Sequence, residues 1–182
     1  MNEEKFYEID ICGLKRKLPI CPINEHLSIG AFIMFSDVEI TVKAAEELLK
    51  LAPEFDYIIT AESKGIPLAY EMSKQSGKNY ILARKSPKLY MKKPIRIDVK
   101  SITTSKLQEL YLDEKDADLL RGKKVLIVDD VISTGESVKS LEALLQICGA
   151  EIAGKMTVLA EGEEAQNRKD IIYLQKLPLF FN

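Results

Sequence analysis

The segment that most constrains the fold runs from residue 124 to residue 149. Its four consecutive apolar residues, 125–128, predict a strand that is buried on both faces. Two aspartates and a turn of small residues follow, and the turn leads into an amphipathic helix that ends at Gly149. The apolar positions of that helix are Val138, Leu141, Leu145 and Cys148. A buried strand that turns directly into such a helix is typical of a parallel α/β sheet.

The rest of the chain repeats this alternation. Further strands are predicted at 57–59, 80–83, 152–159 and 171–174, and an N-terminal hairpin at 6–11 and 14–20. A helix starting near Ser36 carries a capping-box spacing to Glu39, and a second helix starts near Gly65 and ends at Gly77. The first helix has helical spacing at Val38, Val42, Ala45 and Leu49, and Pro53 ends it. We expect one α/β domain over 1–182, with a central, mainly parallel sheet flanked by helices.

The composition argues against nucleic acid and membranes as binding partners. The chain has 26 basic and 28 acidic residues and a formal net charge of -2, so no overall positive field attracts nucleic acid or a membrane surface. The N-terminus has no basic stretch followed by an apolar one, and no apolar run approaches the ~20 residues that span a bilayer. The three cysteines lack metal-ligand spacing and indicate a reduced compartment. We therefore expect a cytoplasmic protein that binds neither nucleic acid nor membrane.

Asp129 and Asp130 are the strongest chemical signal. Ligands of open α/β sheets bind at the carboxyl ends of strands, where these two carboxylates lie. The turn after them exposes backbone N–H groups at a helix start, which suits a phosphate, and paired carboxylates can hold ribose hydroxyls or hydrated Mg²⁺. A purely structural alternative is that Ser133 and Glu136 form a capping box. A phospho-acceptor receiver domain also has an Asp pair after a strand, but too few residues follow Asp130 here to complete one.

With these motifs in place, the chain resembles the type I phosphoribosyltransferases from about residue 32 to residue 159. Asp-Asp followed by Ser-Thr-Gly is similar to their phosphoribosyl-pyrophosphate signature. Segment 61–67 (AESKGIP) resembles the pyrophosphate loop of adenine enzymes and, more closely, that of the purine operon repressor. Arg84 and Lys85 resemble the basic pair of adenine and xanthine enzymes, and 99–103 resembles the mobile-loop arm of the xanthine enzyme and the repressor.

The resemblance implies a role for each matching residue. Asp129 and Asp130 are the catalytic pair and hold Mg²⁺ indirectly, through water or ribose hydroxyls. The 5′-phosphate is bound by Ser133, Thr134, Gly135, Glu136 and Ser137. Pyrophosphate is cradled by Ser63, Lys64 and Gly65 and neutralised by Arg84, Lys85 and Lys88. The resemblance also implies a homodimer and a cis or strongly distorted peptide bond at 62–63 or 63–64.

Residues 84–106 are expected to form a mobile loop that closes over the site. The segment carries eight Lys or Arg against one acid, Asp98, and lacks helical periodicity. A loop with repelling charges and few apolar contacts buries little surface, so we expect residues 86–104 to be mobile without ligand. The departing pyrophosphate gains charge and the sugar becomes cation-like, which requires fixed cations and exclusion of water.

The base site is the least defined part of the resemblance. It implies a hood built from the hairpin and hood segment 1–35 and a late loop, with contacts from Leu27, Met34, Phe35 and Glu161. Ser36 replaces the Arg usual in adenine enzymes, the late loop lacks the Lys of the xanthine enzyme, and Arg96 replaces a common loop Glu. The substrates implied are phosphoribosyl pyrophosphate and a purine, with adenine favoured and xanthine or guanine next. A non-catalytic sensor of phosphoribosyl pyrophosphate is the alternative from another class.

Overall fold

A computed structural model describes residues 5–100 and 107–181 of the chain. Eleven strands and five helices lie within these ranges. The strands are β1 (Phe6–Ile11), β2 (Leu14–Pro22), β3 (Leu27–Gly30), β4 (Tyr57–Ala61), β5 (Tyr80–Ala83), β6 (Ile95–Lys100), β7 (Leu107–Leu112), β8 (Lys124–Ile132), β9 (Glu151–Glu161), β10 (Ile172–Leu177) and β11 (Leu179–Phe181). The helices are α1 (Val38–Leu51), α2 (Ile66–Ser76), α3 (Glu114–Leu120), α4 (Glu136–Cys148) and α5 (Gly162–Gln166).

The central sheet has the order β10-β9-β8-β4-β5, and all of its strand pairs are parallel. From β4 the chain passes through α2 to β5 on one side, whereas from β8 it passes through α4 to β9 on the other. The strand order therefore reverses between β4 and β8. In open α/β sheets, the crevice beyond the carboxyl ends of such a strand pair is where ligands bind.

Both faces of the sheet are covered, as the apolar run in β8 predicts. Leu126 and Val128 belong to a core cluster that includes α1 and α2 residues. Val125 and Ile127 belong to a second cluster that includes residues of α3 and α4. Alternate side chains of one strand thus enter two different cores, which explains why the strand lacks an alternating polar pattern.

A smaller antiparallel sheet forms the predicted hood. Its order is β1-β2-β3-β11, so the last strand of the chain completes the N-terminal hairpin. Phe181 of β11 pairs with Leu27 of β3, and the Tyr7 and Phe180 rings lie 5.3 Å apart between their centroids. The predicted hood comprised only residues 1–35, and β11 was not predicted because a three-residue strand has no measurable periodicity.

The segment predicted as a loop contains a regular strand. β6 pairs with β7 in an antiparallel ribbon. The backbone of Arg84 exchanges hydrogen bonds of 2.9 and 2.7 Å with Tyr111, which ties the end of this ribbon to the end of β5. We expected residues 95–100 to be irregular, and this prediction was wrong because they form strand β6. Residues 85–94 have no helix or strand, as predicted for a loop, whereas residues 101–106 lie outside the described residues, and so do residues 101–103 of the loop-arm match.

Helix α1 begins differently from the prediction. Its N-cap is Asp37, whose carboxylate accepts a hydrogen bond from the Ile40 N–H, while Ser36 has a positive φ of 69°. Arg16 also pairs with Asp37 at 2.7 Å. The buried face of the helix is Ile40, Thr41, Ala44, Ala45 and Leu48. The predicted face was wrong at Val38 and Val42, which are exposed, because the helix packs into the core along the neighbouring stripe of residues.

Within the described part of the chain, no helix has the length and apolar character needed to cross a membrane.

Candidate active site

A cleft of about 210 Å³ opens beyond the carboxyl ends of β4 and β8, at the reversal of strand order. Two loops form it, the one between β4 and α2 and the one between β8 and α4. The residues that line it are Ala61, Glu62, Ser63, Lys64, Lys85, Asp129, Asp130, Val131 and Ser137. Members of all three predicted groups, the Asp pair, the pyrophosphate loop and the phosphate turn, therefore meet in one cleft.

The two aspartates lie near the end of β8, where little solvent reaches their carboxylates. Asp130 is only 3% exposed, and its Oδ2 atom has no hydrogen-bond partner among the described residues. Its N–H donates a 2.9 Å hydrogen bond to Asp129 Oδ1. Burial raises the pKa of Asp129 well above its usual value, and the adjacent Asp130 charge raises it further. Burial also raises the pKa of Asp130. A cation or a hydroxyl group that binds these two carboxylates would therefore stabilise their charged forms.

Lys64 faces this pair from the opposite loop. Its ammonium charge lowers the pKa of Asp129 and Asp130 against the effect of burial. Glu161, at the end of β9, has a pKa raised mainly by burial, with Lys64 lowering it and Asp130 raising it. Three carboxylates and one ammonium thus interact across the cleft, and a bound anion would compete with them for Lys64.

Gly65 lets the start of α2 approach strands β4 and β8 closely. A Cβ atom at this position would overlap the Thr60 hydroxyl and would lie 3.0 Å from Asp129 Oδ1. The glycine is therefore required by close approach, because its φ of -72° is accessible to any residue. The peptide bond between Glu62 and Ser63 is cis, as the resemblance predicts. Pro67 stands in the first turn of α2, and Gly77 ends this helix in the left-handed conformation.

Glu62 organises the basic residues that follow β5. Its Oε1 atom lies 2.9 Å from Arg84 Nη1 and 3.7 Å from Lys88 Nζ, and its Oε2 atom accepts a 2.9 Å hydrogen bond from the Lys85 N–H. The Lys85 bond, followed by the Arg84 pair, lowers the pKa of Glu62. Glu62 lies within the predicted pyrophosphate-loop motif, but no role was predicted for it. Its spacing of 22 residues from Arg84 carries no sequence signal.

The turn that enters α4 is open to solvent at Thr134 and Ser137. Its N-cap is Gly135, with φ 74°, and no side chain caps the helix. The predicted alternative, a capping box between Ser133 and Glu136, is therefore wrong. The Arg168 guanidinium lies against Gly135, since a Cβ atom there would overlap Arg168 Nη1. No motif in the sequence indicates Arg168.

The predicted base contacts are only partly brought together. The Asp130 charge raises the pKa of Glu161, but neither Glu161 nor Leu27, which lies on β3 opposite Phe181, lines the cleft. Phe35 is 47% exposed and follows β3. Met34 is 1% exposed and packs in the core with α1 and α2, which argues against a base contact from its side chain.

The residues present fit a hydrated Mg²⁺ ion only in combination with a substrate. In ranges 5–100 and 107–181, no cluster of three or more His, Cys, Asp or Glu forms a complete metal site. Two adjacent carboxylates, one with an unpartnered oxygen, supply the oxygen donors that Mg²⁺ prefers but too few of them. Substrate oxygens and water would have to complete the coordination.

Comparison with known proteins agrees with this geometry. The phosphoribosyl transferase domain family matches residues 38–178. Adenine phosphoribosyltransferase of Cenarchaeum symbiosum is 31% identical over 138 residues, which cover 71% of this chain and 78% of that protein. Hypoxanthine/guanine phosphoribosyltransferase of Methanothermococcus okinawensis is 30% identical over 165 residues, covering 86% of each chain.

One further comparison concerns the fold, and another concerns the alternative that the chain is a non-catalytic sensor. The crystal structure of adenine phosphoribosyltransferase from Thermoanaerobacter pseudethanolicus superposes with a TM-score of 0.67 at 22% identity, covering 94% of this chain and 95% of that one. The purine biosynthesis transcriptional repressor of Bacillus subtilis is 29% identical over 69% of this chain and 43% of its own length.

Proposed function

Because the chain belongs to the phosphoribosyltransferase family and is related to its purine enzymes, we propose that it transfers 5-phosphoribosyl from phosphoribosyl pyrophosphate to adenine. The observation that carries the proposal is the convergence of three groups in one cleft. The Asp129–Asp130 pair, the loop that contains Lys64 and the turn that contains Ser137 all line this cleft. These three groups match the three parts of a substrate that carries a pyrophosphate, a ribose and a phosphate.

In the proposed reaction, a purine ring nitrogen forms a bond to C1 of the ribose while the bond from C1 to pyrophosphate breaks. The pyrophosphate leaves with the electron pair of that bond, and the nitrogen releases its proton. The sugar becomes cation-like during the transfer, as in glycoside cleavage. Asp129 and Asp130 hold the ribose hydroxyls and stabilise positive charge on the ring, since their carboxylates lie in a poorly solvated place.

The other end of the cleft suits the leaving group. Lys64 and Lys85 line it, and Arg84 and Lys88 stand behind Glu62. When bound by substrate oxygens beside the Asp pair, Mg²⁺ would neutralise part of the pyrophosphate charge. Glu62 keeps the basic residues in place before substrate arrives. The β6–β7 ribbon is fixed to Arg84 by the Tyr111 backbone, which supports the proposal that this region excludes water during the reaction.

Adenine is proposed ahead of hypoxanthine and guanine. The first relative described above is an adenine enzyme and the second a hypoxanthine/guanine enzyme, at nearly equal identity. Glu161 is the base-contact candidate whose pKa responds to Lys64 and Asp130, and its carboxylate can accept a hydrogen bond from a purine N–H. The late loop lacks a Lys that would donate to a 6-oxo group, which favours the amino purine.

A base competition experiment tests this assignment. The protein is incubated with phosphoribosyl pyrophosphate, Mg²⁺ and an equimolar mixture of adenine, hypoxanthine, guanine and xanthine, and the nucleotides formed are separated. The proposal predicts that AMP forms first and that Glu161→Gln changes the ratio of products more than Glu163→Gln, its exposed neighbour. Preferential formation of IMP or GMP would overturn the adenine assignment. Binding of phosphoribosyl pyrophosphate without any nucleotide would favour the sensor.

We also propose the homodimer that the resemblance implies. Exposed apolar side chains on α1 and α2, such as Val38 at 71% and Tyr70 at 56%, support burial of this face in an assembly. Sedimentation equilibrium should give twice the chain mass at micromolar concentration. A chain that sediments as a monomer in the presence of substrate would contradict the dimer.

A further inference from the structure

Arg168 lies between α5 and β10, and its guanidinium contacts the phosphate turn. The contact is with Gly135, the N-cap of α4, where an added Cβ would overlap Arg168 Nη1. The turn belongs to the cleft described above, because Ser137 lines that cleft with Asp130. A cation from a separate loop therefore lies beside the turn that contributes Ser137 to the cleft.

The orientation of Arg168 is fixed by a network of charged side chains. Its Nε and Nη2 atoms donate to the two carboxylate oxygens of Asp170 at 2.9 and 2.7 Å. Asp170 also pairs with Lys155 of β9 at 2.7 Å, and Lys155 pairs with Glu142 of α4. The Asp170 pair raises the pKa of Arg168, so the guanidinium stays charged. This two-point pairing leaves Nη1, the atom beside Gly135, out of the Asp170 contact.

A phosphate bound at this turn would be stabilised further by such a cation. Backbone N–H groups and the helix start supply only partial charges, whereas Asp129, Asp130 and the Glu136 side chain of the first helical turn add negative charge nearby. The basic residues predicted from sequence gather at the other loop, around Glu62. We infer that Arg168 binds the 5′-phosphate of the phosphoribosyl substrate through Nη1, with Asp170 as its positioning residue. This inference rests on the proposed function.

The test measures the two ends of the substrate separately. Ribose 5-phosphate and magnesium pyrophosphate are titrated calorimetrically into wild type, Arg168→Gln, Arg168→Lys and Lys169→Gln. The last variant removes the same charge from the exposed neighbouring residue. Arg168→Gln should weaken ribose 5-phosphate binding roughly tenfold or more, the loss expected for a hydrogen bond between charged groups, and leave pyrophosphate binding unchanged. Arg168→Lys should show a smaller loss, and Lys169→Gln none.

The outcomes separate this inference from the proposed function. If Arg168→Gln binds ribose 5-phosphate as tightly as wild type, or loses both ligands equally, Arg168 is not a ligand of the 5′-phosphate. If Arg168→Gln does not fold, Arg168→Lys decides, and wild-type ribose 5-phosphate affinity in that variant overturns the inference. If the wild-type protein binds neither ligand, the proposed function itself fails.

Discussion

Replacement of Asp130 by asparagine tests whether the buried carboxylate is needed for activity but lowers the stability of the folded protein. The side chain is 3% exposed, and Oδ2 lacks a partner among the described residues. A buried acceptor without a partner costs about 1–3 kcal/mol, and more when it is charged. Asparagine has nearly the same shape and no charge. We expect Asp130→Asn to raise the free energy of unfolding by about 1–2 kcal/mol at pH 8.

The gain should depend on pH, because burial raises the pKa of Asp130 in the folded state. A carboxyl with a raised folded-state pKa favours folding while it is protonated. That contribution is fully present below the unfolded pKa of about 3.9 and is lost as the pH rises through the folded pKa. Asp129 responds in the same direction, since the Asp130 charge contributes to its raised pKa. The wild type and the variant should therefore have similar stability near pH 4 and diverge towards pH 8.

Urea unfolding followed by circular dichroism, without Mg²⁺ or substrate, measures this difference at both pH values. Turnover with phosphoribosyl pyrophosphate and adenine should fall roughly tenfold or more in the same variant. Asp118→Asn makes the same chemical change at a side chain that is 64% exposed and should alter stability by less than about 0.5 kcal/mol. A variant less stable than wild type at pH 8, or a difference that does not change with pH, would refute the reasoning.

Three further predictions concern the loops around the Asp pair. Gly65→Ala should destabilise the fold by about 1–3 kcal/mol in thermal unfolding, because the added Cβ would overlap the Thr60 hydroxyl. An unchanged melting temperature would contradict this close approach. Glu62→Gln should lower the free energy of unfolding by about 1 kcal/mol near neutral pH, because the Glu62 carboxylate has a lowered pKa and is stabilised by its partners in the folded state. The loss should disappear at low pH, where Glu62 is protonated in the wild type, and an equal loss at all pH values would contradict this prediction. Crystals grown in sulfate or phosphate should hold an anion at the backbone N–H groups of residues 134–137, and an anion bound elsewhere with this turn empty would count against the phosphate site.

The central strands and helices could be predicted because each has a local cause. Strand β5 matches its predicted bounds, and α4 ends at the predicted glycine, whose φ is 70°. The four apolar positions predicted for α4 are all buried. Reversal of strand order between β4 and β8 then follows from topology, which is why the predicted Asp pair and pyrophosphate loop share a cleft.

The features that were missed depend on contacts between distant segments. Strand β11 exists because β3 offers it an edge, and the β6–β7 ribbon is fixed where Tyr111 pairs with Arg84. The start of α1 moves to Asp37 because Arg16, on a strand of the hood, pairs with that carboxylate. Local capping rules treat Ser36 and Asp37 as near equals, so a long-range ion pair decides between them.

Formation of pyrophosphate and AMP in equal amounts tests the central claim most directly. Phosphoribosyl pyrophosphate, Mg²⁺ and adenine are mixed with the protein, and both products are quantified in wild type and in Asp129→Asn. We expect one pyrophosphate for each AMP in the wild type and a large loss of both in the variant, because Asp129 lines the cleft in which we propose that the ribose reacts. Tight binding of phosphoribosyl pyrophosphate with no product from any purine, or turnover that is unchanged in Asp129→Asn, would contradict it.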